Sequence, residues 1–252
     1  MATQTQLTWY GHSAFRVVTP AGKILLIDPW INNPTNPNAK EHLADLKHVD
    51  AIFLSHGHSD HVGDAVEIGK RTKAKLVANF DLGDAMTKIA GYPADQAQMD
   101  SIGHFGGELS VCDGDVSVLF VHSLHGSGVS HGEKDPPKYG GSPGGLVISI
   151  KNGPTIYFTG DTDVFSDMSL VNLTRRVNVM LVCMGDHFTM GPTRAAYAVK
   201  LVNPDIVVPM HYGTFPVLTG TPEMLRQALK DQGVAAELQA PKIGEKISLP
   251  AA

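Results

Sequence analysis

Cysteine is nearly absent from this chain. Only Cys112 and Cys183 occur among 252 residues. Both lie in apolar, strand-like runs, so two buried thiols are expected rather than a disulfide framework. A reducing, cytoplasmic setting follows as the default. Long apolar runs are missing too. None approaches the roughly 18–20 residues that cross a bilayer, so no membrane span is expected. Leu25–Leu26–Ile27 is too short for the core of an export signal, and Asp28 ends it. Cationic excess is also lacking: 20 Lys and Arg stand against 25 Asp and Glu, a net charge of −5. A phosphate-backbone binder needs a basic stripe, so nucleic acid is not an expected partner. No low-complexity segment or linker divides the chain, and residues 1–252 read as one domain.

What the chain does have is apolar residues, turn formers and histidine. A hydrophobic fraction of 42% can build a core, while 26 glycines and 16 prolines imply many short elements. Thr5–Tyr10, Ser13–Val18 and Lys23–Asp28 read as strands joined by tight turns at Gly11–His12 and Ala21–Gly22. A loop from Pro29 to Pro37 precedes a buried strand, Asp50–Ser55. Val62–Lys70 has helical spacing, Ala74–Ala78 is strand-like and Leu82–Ala90 helix-like. Val116–His122 is a strand, and 123–145 reads as one long glycine-rich loop of the kind that often carries function. A hairpin turns at Asn152–Gly153. Strands at Asn178–Met184 and Asp205–Met210 flank a helix over Thr193–Val202. Thr221 and Pro222 start a last helix that Gly233 ends. Two short strands, Glu237–Gln239 and Lys246–Leu249, finish the chain.

There is an internal echo. GKILLIDPW (Gly22–Trp30) and GPTIYFTGDT (Gly153–Thr162) are each an apolar strand ending on aspartate. Each is followed by a second buried strand ending in polar residues. Two similar halves sharing one core are expected, and a four-layer αββα sandwich of the α/β or α+β class fits.

Twelve histidines are many for this length, and their placement carries the chemistry. Ser55–His61 reads SHGHSDH directly after a buried strand. Side chains two apart in an extended segment point the same way, so His56 and His58 can converge on one ion. Asp60 and His61 lie further along, where the chain turns into a helix, and can serve a second ion. Desolvating clustered imidazoles without partners is unfavourable, which argues against a purely structural cluster.

This strand-plus-HxHxDH arrangement resembles the metallo-β-lactamase superfamily. The resemblance implies five motifs, and each has a match: Asp28 in LLIDP, SHGHSDH itself, His125 in SLHGSG, Asp161 in FTGDT and His211 in VPMHYGTFP. GHSAF, GDTDVFSDM, GDHFTMGP and HYGTFP are further similar to a small bacterial and archaeal group known only as metal-dependent hydrolases. That group is related to the ascorbate-phosphate lactonases and to a phospholipase D-like branch. His122 competes with His125, but the two have opposite parity along the strand, and His125 stands where the glycine-rich loop begins.

The resemblance implies a binuclear centre. His56, His58 and His125 would hold metal one, Asp60, His61 and His211 metal two, and Asp161 would bridge. Asp28 would sit behind the ligands and orient an imidazole, and His12, in its tight turn, would stand beside them. Two divalent ions would remain net positive after Asp60, Asp161 and a bridging hydroxide, favouring an anionic or ester-like small molecule. A nitrogen-rich set without thiolate suits zinc first, with manganese, iron or nickel as alternatives. His58 stands where the di-iron branch has glutamate, which weakens a redox reading. No cysteine stands where antibiotic-hydrolysing relatives place one. The expected reaction is attack of a metal-bound hydroxide on an ester, lactone or phosphodiester, with Asp60 taking the proton. His187 would bind substrate or donate a proton, and Tyr212 would help line the pocket. A metal-binding sensor or scaffold without turnover and a nuclease of the same superfamily are the competing readings. Hydrolases of this kind often associate, so a homo-oligomer stays open.

Overall fold

The computed structural model describes residues 4–132 and 135–251. Five short strands open the chain: β1 (Thr5–Trp9), β2 (Phe15–Val18), β3 (Ile24–Ile27), β4 (Ala51–Phe53) and β5 (Lys75–Asn79). Helices α1 (Ala39–Asp45), α2 (Ser59–Val62) and α3 (Ala65–Thr72) lie among them, and α4 (Phe80–Ala85) follows. Next come β6 (Ile102–Gly103), β7 (Glu108–Val111), β8 (Val116–His122), the ribbon strands β9 (Gly128–Val129) and β10 (Lys138–Tyr139), β11 (Gly144–Ile150), β12 (Thr155–Phe158) and β13 (Val179–Cys183). The chain then runs through α5 (Pro192–Val202), β14 (Ile206–Met210), α6 (Pro222–Asp231), β15 (Glu237–Leu238) and β16 (Lys246–Leu249).

Two seven-stranded sheets result, ordered β16-β1-β2-β3-β4-β5-β6 and β15-β14-β13-β12-β11-β8-β7. Each is antiparallel on one side and parallel on the other, and the change falls at β3 and at β12. These are the two strands whose sequences echo each other. The C-terminal β16 pairs with β1 and takes in the first sheet the place β7 takes in the second.

Alternation along β3 explains the layering. Leu25 and Ile27 belong to the core between the sheets, where Phe15 meets Phe158 edge to face at 6.3 Å. Leu26 points the other way, into a second cluster with Ala65 and Ile68 of α3 and Leu82 of α4. Ala195, Ala198, Val199 and Val202 bury the apolar stripe of α5, and Leu225, Ala228 and Leu229 that of α6. Full burial of each large apolar side chain contributes about 1.5–3 kcal/mol. Thr221 accepts the Met224 amide at 3.2 Å and caps α6. Cys183 is buried, Cys112 half-buried, and both are free.

The elements depart from expectation in two places that matter for the site. The helix expected over Val62–Lys70 is split into α2 and α3, and starts earlier, at Ser59. Gly63 has φ 28°, and a Cβ there would lie 2.5 Å from the Trp30 backbone. The break leaves Asp60 and His61 on a single helical turn. The segment 123–145 is not a structureless loop either. It carries the β9–β10 ribbon, and Val129 is fully buried against the helix-side cluster.

Candidate metal centre

Strand direction brings the site together. Asp28 follows β3, His56 and His58 follow β4, His125 follows β8, Asp161 follows β12 and His211 follows β14. His12 occupies the turn after β1. All of these stand at C-terminal strand ends on one edge of the sandwich, the place where α/β sheets bind ligands. The seven expected ligands fall into two clusters joined by an aspartate.

His56, His58 and His125 form the first cluster, with donor atoms within 4.8 Å of one another. His56 Nε2 and His58 Nδ1 are 3.0 Å apart. His56 is buried, while His58 and His125 are half-buried. Asp28 stands behind this cluster through Ser55. The Ser55 hydroxyl donates to Asp28 Oδ2 at 2.5 Å and lies 2.9 Å from His56 Nδ1. With that hydroxyl proton directed at the carboxylate, Ser55 Oγ can accept from His56 Nδ1–H, which leaves His56 Nε2 as an acceptor lone pair facing His58 Nδ1.

Asp60, His61 and His211 form the second cluster, and His12 joins it. His61 Nδ1 donates to Asp28 Oδ2 at 2.6 Å, so the same aspartate backs one imidazole in each cluster. Asp161 lies between them. Its Oδ2 is 3.3 Å from His61 Nε2, 2.9 Å from His211 Nε2 and 3.6 Å from His125 Nε2. Asp28, His12 and His211 all have left-handed backbones, at φ 42°, 50° and 59°. Such conformations are uncommon outside glycine and persist where surrounding contacts hold them.

The donors fit a cation pair. His61 Nε2, His211 Nε2 and Asp161 Oδ1 are buried without a hydrogen-bond partner. The Nε2 atoms are near Asp161 Oδ2 in distance yet not directed at it as hydrogen bonds. Buried unpaired polar atoms cost about 1–3 kcal/mol each, and three at one point call for a charge that satisfies them together. Burial pushes the His56 imidazole well below its usual range and that of His12 down to about 4, against the raising effect of the Asp60 hydrogen bond. Burial also tends to raise Asp161, but His61 and His211 outweigh it and hold the carboxyl well below the usual range. For Asp60, burial is likewise outweighed, by the His12 hydrogen bond and by His61. A neutral His56 and ionised carboxylates are ligand forms that cations require, whereas His61, which Asp161 and Asp28 hold well above its usual range against the effect of burial, has to release a proton as a cation binds.

A cleft of about 580 Å³ reaches His58 and Asp60, walled by Gly57, Ser59, Val62 and Gly63 and by Ser130 and Pro137 of the glycine-rich segment. Ser127 staples that segment to the motif, accepting the Gly57 amide at 3.1 Å and donating to the Gly140 carbonyl at 2.8 Å. His131 is tied to the Ile89 carbonyl. His122 faces away from the cluster and packs on Phe165 at 4.3 Å. His187 is exposed in the turn after β13, beside Phe188, and has no hydrogen bond or ion pair to the two clusters among the described residues. Tyr212 is half-buried and stacks on Trp9 at 5.2 Å. Sequence reasoning missed Ser55 as the link from Asp28 to His56, and Thr214 as the partner of His12 Nδ1 at 2.9 Å. Ser55 stood inside the motif and could have been found there; Thr214 carried no signal.

A beta-lactamase superfamily domain model matches residues 23–212. The chain is 52% identical over 248 residues to the UPF0173 metal-dependent hydrolase of Thermodesulfovibrio yellowstonii, covering 97% of this chain and 92% of that one. It is 40% identical over 247 residues to a UPF0173 metal-dependent hydrolase of Myxococcus xanthus, covering 98% and 84%. Among solved structures it is similar to Igni18, a metallo hydrolase of Ignicoccus hospitalis, with a TM-score of 0.83 and 29% identity over 99% of this chain and 100% of that one.

Proposed function

We propose a binuclear hydrolase, and the premise is that this chain belongs to the metallo-β-lactamase superfamily, among its metal-dependent hydrolases. His56, His58 and His125 would hold one divalent cation, Asp60, His61 and His211 a second, and Asp161 would bridge the two. One observation carries the reading: Asp161 Oδ2 lies within 3.6 Å of imidazole nitrogens from both clusters. Zinc suits this nitrogen-rich, thiolate-free set best, with manganese, iron and nickel as the alternatives. When bound, such a pair supplies Lewis acidity and lowers the pKa of water towards about 7.

The chain's own residues do the rest. Asp28 fixes His61 directly and His56 through Ser55, so that each presents Nε2 to the centre. Asp60 takes a proton from the attacking water and gives it to the departing oxygen of the substrate. Its neighbours hold it ionised, so it does not retain that proton between turnovers. His187, exposed after β13, serves as the substrate-side imidazole, and Tyr212, next to His211, as a substrate contact. The cleft beside His58 and Asp60 has the volume of a small-molecule site. The substrate is an ester, lactone or phosphodiester whose developing negative charge the centre attracts. Pairing of β16 with β1 supports reading the whole chain as one catalytic unit.

The test is a panel of p-nitrophenyl esters, lactones and p-nitrophenyl phosphodiesters, run on chelator-treated protein reloaded with zinc, manganese or nickel. Turnover that depends on added cation, in at least one class, is expected. Cation binding with no turnover anywhere in the panel would replace the hydrolase by a metal-binding sensor or scaffold.

A further inference from the structure

The GHSAF turn at Gly11–Phe15 supplies none of the cation ligands assigned above, yet its histidine touches the second cluster twice. His12 is fully buried. Its Nε2 lies 3.0 Å from Asp60 Oδ2. A carboxylate only accepts, so Nε2 carries the proton and donates. Nδ1 is 2.9 Å from Thr214 Oγ1, which ties the other side of the ring to the segment that follows His211. The main chain of His12 repeats the connection. Its carbonyl accepts the backbone N–H of His211 at 3.0 Å and the indole N–H of Trp9 at 3.0 Å. One residue therefore holds the carboxylate of Asp60 by its side chain and the backbone of His211 by its carbonyl.

Proximity alone would also allow His12 to be a ligand, since its ring nitrogens lie within 4.8 Å of donors on Asp60, His61 and His211. The hydrogen bonds decide against it. Both ring nitrogens of His12 are engaged by oxygens, whereas His56 Nε2 faces only another imidazole of its own cluster and His61 Nε2 and His211 Nε2 are buried with no hydrogen-bond partner. Asp60 needs such a support. It sits on a four-residue helix between the extended residue His58 and the break at Gly63, and a single turn does little to fix a side chain. The first cluster has its own support in Ser55 and Asp28.

We propose that His12 is the positioning residue of the second half-site, locking Asp60 to the His211 segment so that the second cation binds, while leaving the His56, His58 and His125 half-site to bind independently. The proposal rests on the binuclear reading. It makes the two half-sites separable: one is built by the motif after β4 with β8, the other assembles only when the β1–β2 turn, α2 and the segment after β14 meet. Outer partners of this kind are typically worth about 10–100-fold in metal affinity.

Three variants of the full chain test it, with cation uptake as the readout. Protein is dialysed against buffered free zinc and analysed for bound metal, and cobalt uptake is followed by absorption. Wild-type protein is expected to take up two equivalents. In His12→Asn the side chain is too short to reach Asp60, but asparagine tolerates the left-handed backbone, so the carbonyl bond to His211 stays. One equivalent should bind as in wild type and the second about 10–100-fold more weakly. In His12→Gln the terminal amide N–H reaches the Nε2 position, and most of the second affinity should return. Thr214→Val, which removes only the hydroxyl behind the ring, should weaken the second cation less than His12→Asn does, and it serves if the asparagine variant does not fold. Two cations bound with wild-type affinity in His12→Asn would overturn the proposal. So would equal weakening of both, or asparagine and glutamine variants that behave alike. Wild-type protein that takes up no cation would instead overturn the binuclear reading itself.

Discussion

His58 is half-buried and faces the cleft, so it can be removed without opening a core cavity. His58→Ala should abolish turnover on the best substrate of the panel, a loss beyond the roughly 10–100-fold of an outer partner. Its thermal transition should stay within a few degrees of wild type. Full activity after chelation and reloading would contradict the ligand assignment. Acid should act on the same residues once cations are stripped. His12 titrates at about 4 in the folded chain against 6.5 in the unfolded one, because burial disfavours its charge. Between those values the unfolded chain binds the extra proton, so stability falls as pH falls. His56, His58 and His125 are lowered as well and act in the same direction. His61 is raised, so its contribution is already complete below 6.5 and does not offset them. Chelator-treated protein should therefore melt at progressively lower temperature from pH 6.5 to about 4, read by calorimetry. A flat profile would contradict these protonation states.

At the scale of elements, the glycine-rich segment is held against the metal-binding motif by close packing. A Cβ on Gly57 would lie 2.5 Å from Val129 Cγ2 and 3.1 Å from the Gly128 carbonyl. Gly57→Ala should push β9 outward and carry His125 with it. Activity should fall about tenfold or more, since small misplacements of catalytic groups are costly. Adding Val129→Ala makes room for the new methyl and should restore part of the loss. If the double variant is no better than the single one, the contact is not what positions the segment. Several elements were legible because their pattern is local. Thr221 and Pro222 announce α6, and Asn152–Gly153 announces the hairpin of β11 and β12. The split of the helix at Gly63 was not legible, because its cause is the Trp30 backbone, a neighbour brought by the fold.

For the whole molecule, β16 completes the sheet that carries the β1–β2 turn. It pairs with β1 from Thr5↔Leu249 to Thr8↔Lys246. Deleting residues 246–252 leaves β1 as an open edge directly before His12. The melting temperature should fall by about 5 °C or more, and the truncated chain should associate through the exposed edge. Light scattering together with calorimetry checks both outcomes, and an unchanged melting temperature would show that the edge is dispensable. The two-halves reading was visible in the paired strands ending at Asp28 and Asp161. The same echo placed both aspartates at the centre.

The amino-acid sequence by itself determined which histidines and aspartates stand at strand ends and in what order. The SHGHSDH spacing dictates that His56 and His58 point together, and the family resemblance singled out Asp28, His125, Asp161 and His211. Only the tertiary structure decided how these side chains are brought together and held. Ser55 relays Asp28 to His56, His12 bridges Asp60 to the His211 segment, and Thr214 stands behind His12. The last two are contacts between segments far apart in sequence, made by the side chain and carbonyl of His12, whose backbone has φ 50°. No local pattern encodes such a meeting, because it exists only once two sheets have packed and placed their strand ends on one edge.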